Sequence, residues 1–323
     1  MSKEIELKMV VLPLMNGESL SGLFKALGAK EVKEAWLVNT YFDTDDLQLN
    51  KARIALRIRQ KGGGFIQTLK TKGETIGGLS QRGEWEWGVP GNKLDTTLLH
   101  EGGWPSELPV DNLVSVFETN FKRTSAVIEH RGTKIECAVD DGYVSAGEYR
   151  APLVEVELEI IEGDVDVLFD VAAKIAGMRP VMLADVSKAE KGYRLIDKGL
   201  LNGFSFPFKC KGDYKAYIVA LVSRNLSYWL FIVDRMGVEP ARCLLIELIG
   251  VLATLREIVG SYRCVDGAKE FSFTGLFDLE IESLGVLLEE VDDGGEIACV
   301  NRLLSSGRAG VLSIELSRWL RAI

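Results

Sequence analysis

The chain has 323 residues, 47% of them hydrophobic and 26% charged, and its formal net charge is −9. That length exceeds the usual single domain and that composition can bury a sizeable core, so two globular domains are expected. The acidic balance argues against a nucleic-acid binder, which would carry a net basic surface.

In chain order, Glu4-Ile5-Glu6-Leu7-Lys8 comes first, alternating charged and aliphatic side chains. A strand there puts Glu4, Glu6 and Lys8 on one face and Ile5 and Leu7 on the other. A solvated edge strand would show the same pattern, and recurrence decides between the two. A helix is expected from Glu18 to Leu27, ending at Gly28, and Asp43-Thr44-Asp45-Asp46 reads as a turn before Leu47. The alternation returns at Arg53–Arg59, at Thr68–Lys72 and at Arg82–Trp87, with Gly62-Gly63-Gly64, Gly77-Gly78 and Gly102-Gly103 as intervening turns. Asp140-Asp141-Gly142 reads as a further turn, and Glu155–Ile160 as an acidic strand. A helix from Val165 to Ala176 ends at Gly177.

Beyond residue 200 the period becomes helical, near Tyr214–Met236, Pro240–Val259, Leu276–Val291, Glu296–Leu304 and Ala309–Ala322. Pro240 marks a helix start and Gly260 an end. The connector Leu201–Lys211 suggests domains at residues 1–200 and 201–323.

Cys137, Cys210, Cys243, Cys264 and Cys299 lack CxxC or metal-ligand spacing, and His100 and His130 form no metal-ligand motif with them. Structural thiols in a reducing compartment are favoured over zinc or a disulfide framework. Charged residues interrupt any N-terminal apolar run, and Trp229–Val233 and Cys243–Leu255 are too short or contain Glu247. No signal peptide or membrane span is expected, and the location is read as cytoplasmic.

Whole strands carry one sign of charge, whereas a solvent-facing sheet mixes signs to relieve cross-strand repulsion. Carboxylates spaced by two on one strand need a cation among them, and hard Mg²⁺ or Mn²⁺ takes oxygen ligands. Strands bearing Arg57, Arg59, Lys70 and Lys72 need a multiply charged anion, and guanidinium forks match phosphate oxygens. A phosphate chain chelated to a metal is the economical account.

Glu4-x-Glu6-x-Lys8, then Arg57-x-Arg59, Lys70, Arg82-x-Glu84, Arg123, Asp140, Glu155-x-Glu157-x-Glu159 and Ser187-Lys188 resemble, in that order, the CYTH superfamily of triphosphate tunnel metalloenzymes. The resemblance covers roughly residues 1–200 and is greatest to bacterial inorganic triphosphatases that carry a helical CHAD-type domain. It implies an α+β chain: an eight-stranded antiparallel barrel enclosing the triphosphate, followed by an α-helical bundle. Residues 201–323 resemble a CHAD domain, associated with polyphosphate binding, only loosely, being short and mixed in charge, and are read as a degenerate helical appendage.

The resemblance implies roles. Lys8, Arg57, Arg59, Lys70, Arg82, Arg123 and Lys188 would grip phosphate oxygens, with Lys72 at the rim. Asp140, Glu155, Glu157 and Glu159 would hold Mg²⁺ or Mn²⁺. Glu4 and Glu6 would hold a second ion or orient the attacking water, and Glu84 would balance the cations or support the ligands from behind. Arg53 and Glu86 fit surface ion pairing equally well, Glu136 fits a tunnel wall, and Ser187 fits a helix cap. Tyr193 is read as packing. The aliphatic and aromatic alternates, including Ile54, Leu56, Ile58, Trp85, Trp87, Val156 and Leu158, would face outward.

The implied activity is hydrolysis of inorganic triphosphate to pyrophosphate and phosphate. Thiamine or nucleoside triphosphatase, class IV-type adenylate cyclase and a non-catalytic polyphosphate-binding module stay open as alternatives. Trp36, Trp85, Trp87 or Trp104 could stack an organic base at the mouth. The apolar helical faces of residues 214–322 leave room for a homodimer.

Overall fold

The computed structural model describes residues 2–11, 22–197, 213–238, 241–262, 270–290 and 306–323. The strands are β1 (Ser2–Val11), β2 (Lys33–Asp43), β3 (Ala55–Lys61), β4 (Gly64–Lys70), β5 (Glu74–Ile76), β6 (Leu79–Val89), β7 (Val114–His130), β8 (Thr133–Ala146), β9 (Tyr149–Glu162) and β10 (Val181–Leu183). All pair antiparallel, in the order β1-β9-β8-β7-β2-β3-β4-β6, and β6 pairs back onto β1 to close an eight-stranded barrel. Closure leaves these strands no free edge, and β5 and β10 add short pairings outside.

The described helices are α1 (Leu23–Ala26), α2 (Gln48–Lys51), α3 (Asp166–Ala176), α4 (Lys188–Ile196), α5 (Tyr214–Val238), α6 (Arg242–Tyr262), α7 (Thr274–Glu290) and α8 (Arg308–Ala322), with a 3-10 helix at Thr96–Gly102. In α3, Leu168, Val171, Ala172 and Ile175 recur at helical spacing and pack on Leu7, Met9, Val156 and Leu158 from the outer faces of β1 and β9. This apolar cluster continues through Val222, Leu226 and Trp229 of α5 and Leu312 and Trp319 of α8. A second outer cluster joins Leu49, Ile54, Leu56, Leu69, Leu99 and Trp104, with Trp85 and Trp87 packed against it. Ile58 is buried outside both clusters.

A third cluster lies inside the barrel. Leu37 and Tyr41 of β2, Phe117 and Phe121 of β7, Val144 of β8, Leu153 of β9 and Tyr193 of α4 fill one end of the lumen. Tyr41 stacks on Phe117 with centroids 4.5 Å apart, and Tyr193 meets Phe117 edge-on. The charged interior expected of this barrel therefore stops partway, against an apolar plug.

Several local expectations change. Asp140-Asp141-Gly142 is the middle of β8, where Asp140 faces Arg123 and Glu155 in register. Gly142 serves close approach there, since a Cβ on it would lie 2.2 Å from the Asn120 carbonyl oxygen. Arg53 precedes β3 with a φ of 58° and is exposed, so it does not share the face of Arg57. The first helix is only Leu23–Ala26 among described residues, and positions 18–21 lie outside them. Helix α6 runs on to Tyr262, so Gly260 ends nothing. Pro240, the expected helix at 296–304 and the whole 201–211 connector lie outside the described residues. By length and composition α5 could cross a membrane, a property split by the short runs read above, and 56% of its apolar window is buried in the fold.

Candidate active site in the barrel lumen

Alternation on closed strands delivers the charged residues to one place. Lys8, Arg57, Arg59, Lys70, Arg82, Arg123 and Lys188 share the wall of a cavity of about 270 Å³ with Glu4, Glu6, Glu84, Glu86, Glu136, Glu157 and Glu159. Tyr41, Ala55, Ser187 and Ala189 complete the lining. Asp140 and Glu155 lie behind this wall, fully buried.

The acidic side is compensated atom by atom. The Lys188 ammonium sits 2.7 Å from Asp140, 2.5 Å from Glu155 and 2.8 Å from Glu157. Arg123 grips Asp140 with two bonds of 2.7 Å and Glu157 with one of 2.6 Å, and Lys191 reaches Glu155 at 3.2 Å. Burial would raise the Glu157 carboxyl, but Lys188, Arg123 and Lys8 hold it well below its usual range. Asp140 is likewise held low by Lys188 and Arg123 against burial. Lys188 is lifted above the usual lysine value, its three carboxylates outweighing burial.

Around β1 and β6, Glu4 accepts from Lys70 (2.5 Å) and Arg82 (2.8 Å), and Glu6 accepts from Arg82 (2.9 Å). Burial opposes ionisation of Glu4, yet these two cations bring its pKa down to about 2. Glu84 sits 3.1 Å from Lys70 and 4.0 Å from Arg57. Glu159 stands between Glu6 and Glu136 in register, and burial with Glu4, Glu84 and Glu6 raises its pKa to about 7.

The wall formed by β3 differs. Arg59 donates from Nε to Asn39 Oδ1 (2.9 Å) and has no carboxylate partner among the described residues; burial and the neighbouring Arg57 and Arg123 push its pKa down to about 10. The buried Nε of Arg57 has no hydrogen-bond partner. Tyr41 bonds Arg57 and is pulled below the usual tyrosine value by it, against burial.

Asp140, Glu155 and Glu157 each offer an oxygen within 4.8 Å of the others, an all-oxygen donor set that fits a hard divalent cation. Glu159 is not part of that group, and the group already holds an ammonium. Every residue that the sequence pointed to as a phosphate grip lines the cavity except Lys72, which is exposed beyond the end of β4. Glu136 and Glu86 are wall residues, the latter accepting from Thr68 (3.2 Å). Tyr41 and Asn39 were missed because an uncharged alternating strand carries no sign to read. Trp85, Trp87 and Trp104 pack in the outer cluster and Trp36 is exposed, so none of the four lines the cavity.

The plug end is closed by α4. Ser187 caps it by accepting from the Glu190 N–H (3.1 Å). Gly192 lets it press on Phe117, where a Cβ would sit 2.2 Å from the ring. Tyr193 donates to the fully buried Asp43 (2.7 Å), which in turn accepts from the N–H groups of Thr44, Leu49 and Asn50.

The family model of the CYTH domain matches residues 2–193. The inorganic triphosphatase of Haemophilus influenzae is 36% identical over 202 residues, which make up 62% of this chain and 57% of that protein, so the match spans little more than half of this curated relative. Among solved structures, a candidate adenylyl cyclase from Hippeastrum with a dominant triphosphatase activity aligns at a TM-score of 0.41 and 19% identity, over 63% of this chain and 98% of its own. A candidate adenylate cyclase from Bacillus halodurans aligns at 0.34 and 23% identity, over 55% and 90%. With the family model matched over more than half its length and the charged strands closed around one lumen, the chain belongs to the CYTH domain family.

Proposed function

We propose that the lumen hydrolyses inorganic triphosphate to pyrophosphate and orthophosphate with the help of Mg²⁺ or Mn²⁺. The observation that carries this reading is the under-satisfied arginine wall: Arg57 has a buried donor without a partner, and Arg59 has no carboxylate. Two such guanidinium groups side by side repel until an anion with several charges lies between them. The 36% identity to an inorganic triphosphatase supports the same substrate class. The cavity wall has as many carboxylates as cations, so it cannot by itself neutralise a polyphosphate, and a divalent cation that enters with the substrate balances the charge.

In this reading, Arg57, Arg59, Arg123, Lys70, Arg82, Lys8 and Lys188 hold the non-bridging oxygens. Asp140, Glu155 and Glu157 are the donors for the metal, with Glu159, Glu4 and Glu6 available to a second ion. A bound divalent cation supplies charge neutralisation and makes water more acidic. Lys188, which pairs with Asp140, Glu155 and Glu157 here, would be free to turn to the phosphate chain once those carboxylates held a divalent cation. Water oriented by Glu4 or Glu6 attacks the terminal phosphorus in line, a lumen carboxylate accepts its proton, and the bridging P–O bond breaks towards the pyrophosphate. Glu84 keeps Lys70 and Arg57 in place. Among the described residues no stacking ring other than Tyr41 lines the cavity, which favours a substrate without an organic base. The catalytic part is residues 1–200, and residues 201–323 form the helical part.

The test is phosphate release from tripolyphosphate, ATP and thiamine triphosphate, with Mg²⁺ or Mn²⁺ and with chelator. Fast metal-dependent release from tripolyphosphate alone supports the reading. Cyclic AMP from ATP, or tight tripolyphosphate binding without turnover, would replace it with a cyclase or a binding module.

A further inference from the structure

Helix α4 brings Lys188 to the acidic group from inside the barrel, while its outer side is held by the helical region. Ahead of α4, the Asp185 carboxylate accepts one bond from the Gly78 N–H (2.7 Å) and another from the Ser227 hydroxyl of α5 (2.7 Å). At the far end, Arg194 pairs with Asp234 of α5 and with Glu190 (2.8 Å), and its guanidinium lies 5.7 Å from the Phe231 ring. Ser227, Phe231 and Asp234 fall at i, i+4 and i+7, a single stripe of α5. Its rise of about 10 Å approaches the roughly 13 Å length of α4, so one stripe grips both ends.

The same anchor reaches the other lumen lysine. The Gly78 carbonyl accepts from the Lys8 N–H (2.9 Å), and the Lys8 carbonyl accepts from the Ala184 N–H (3.0 Å). Lys8 and Lys188 thus hang from one backbone network whose outer fixing point is α5.

These polar contacts add little to cohesion. The apolar residues Val222, Leu226 and Trp229 already join α5 to the shared core, and buried ion pairs give up in desolvation much of what they gain by attraction. What a buried pair does well is fix geometry. Arg194 is 6% exposed, so without Asp234 its one ion-pair partner among the described residues is the half-exposed Glu190, and a nine-residue helix has little stability of its own.

We propose that Asp234 and Ser227 are positioning residues for the lumen: by holding Arg194 and Asp185, they set where α4 places Lys188 against Asp140, Glu155 and Glu157. The helical region is then a working part of the catalytic lumen.

The experiment uses the full chain with Asp234→Asn, Ser227→Ala, and the charge exchange Arg194→Asp with Asp234→Arg. Amide hydrogen exchange is read across α4, β7 and β8 by mass spectrometry, alongside kcat and KM for tripolyphosphate. In Asp234→Asn, exchange across residues 188–196 should accelerate while β7 and β8 keep their native protection. Its kcat should fall roughly 10- to 100-fold with a smaller change in KM. Ser227→Ala should act in the same direction, and the charge exchange should restore both readouts. Native exchange in α4, a uniform rise through the whole chain, or a loosened α4 with unchanged kcat would each overturn the proposal. The kcat readout rests on the triphosphatase reading; a native chain that releases no phosphate would sink that reading, and the exchange readout would still decide whether α5 positions α4.

Discussion

The two walls of the lumen differ in how far their charges are matched. On the side of β8, β9 and α4, each of Asp140, Glu155 and Glu157 has a cation within hydrogen-bond distance. On the side of β3, Arg57 meets Tyr41 and a Glu84 oxygen 4.0 Å away but keeps an orphaned Nε, and Arg59 meets an asparagine. A compensated wall stabilises the empty fold, whereas a partly compensated one keeps repulsion that an anionic ligand relieves. Substitutions on the first side should therefore cost stability and those on the second should cost binding.

The largest effect should come from the compensated wall. Asp140→Ala leaves Arg123 and Lys188 buried with one partner fewer, and chemical denaturation should show a loss of about 3–5 kcal/mol. Glu157→Gln keeps the shape but removes a charge that meets Arg123, Lys188 and Lys8, and phosphate release from tripolyphosphate should drop by roughly 10²–10³. If either variant instead weakens substrate binding alone, the division between the walls is wrong.

Arg59→Ala should do the reverse. Loss of a charge-assisted contact worth about 1.5–3 kcal/mol should raise KM for tripolyphosphate, while the melting temperature of the ligand-free protein holds or rises because a repulsive cation has gone. A melting temperature that falls as far as that of Asp140→Ala would erase the contrast.

The smallest effect is a pH dependence at Glu159. Its folded pKa of about 7 is above the ordinary glutamate value of 4.5, so between these values the folded protein binds a proton that the unfolded chain releases. The stability this contributes is full below about 4.5 and is lost as pH rises through 7. Metal-free native protein should therefore become less stable across that window, and Glu159→Gln should flatten the slope.

The charged strands were legible because like charges at a period of two have few explanations other than a closed, liganded interior. Asp140 escaped that logic: Asp-Asp-Gly looks locally like a turn, and only the approach of Phe121 and Asn120 across the strand pair gives Gly142 its place in β8. The plug was invisible for a related reason, since Phe117 and Phe121 alternate in the same way whether they face the lumen or the outer core. Glu86 stayed ambiguous until β4 placed Thr68 beside it. Contacts of high sequence separation, such as Asp43 with Tyr193 and Asp185 with Ser227, leave no local trace at all.

The plug of Phe117, Phe121, Leu153 and Tyr193 makes the lumen a socket with one door. On the proposed function, a long phosphate polymer would not thread through such a socket but would have to present an end, and every product would leave by the way its parent came in.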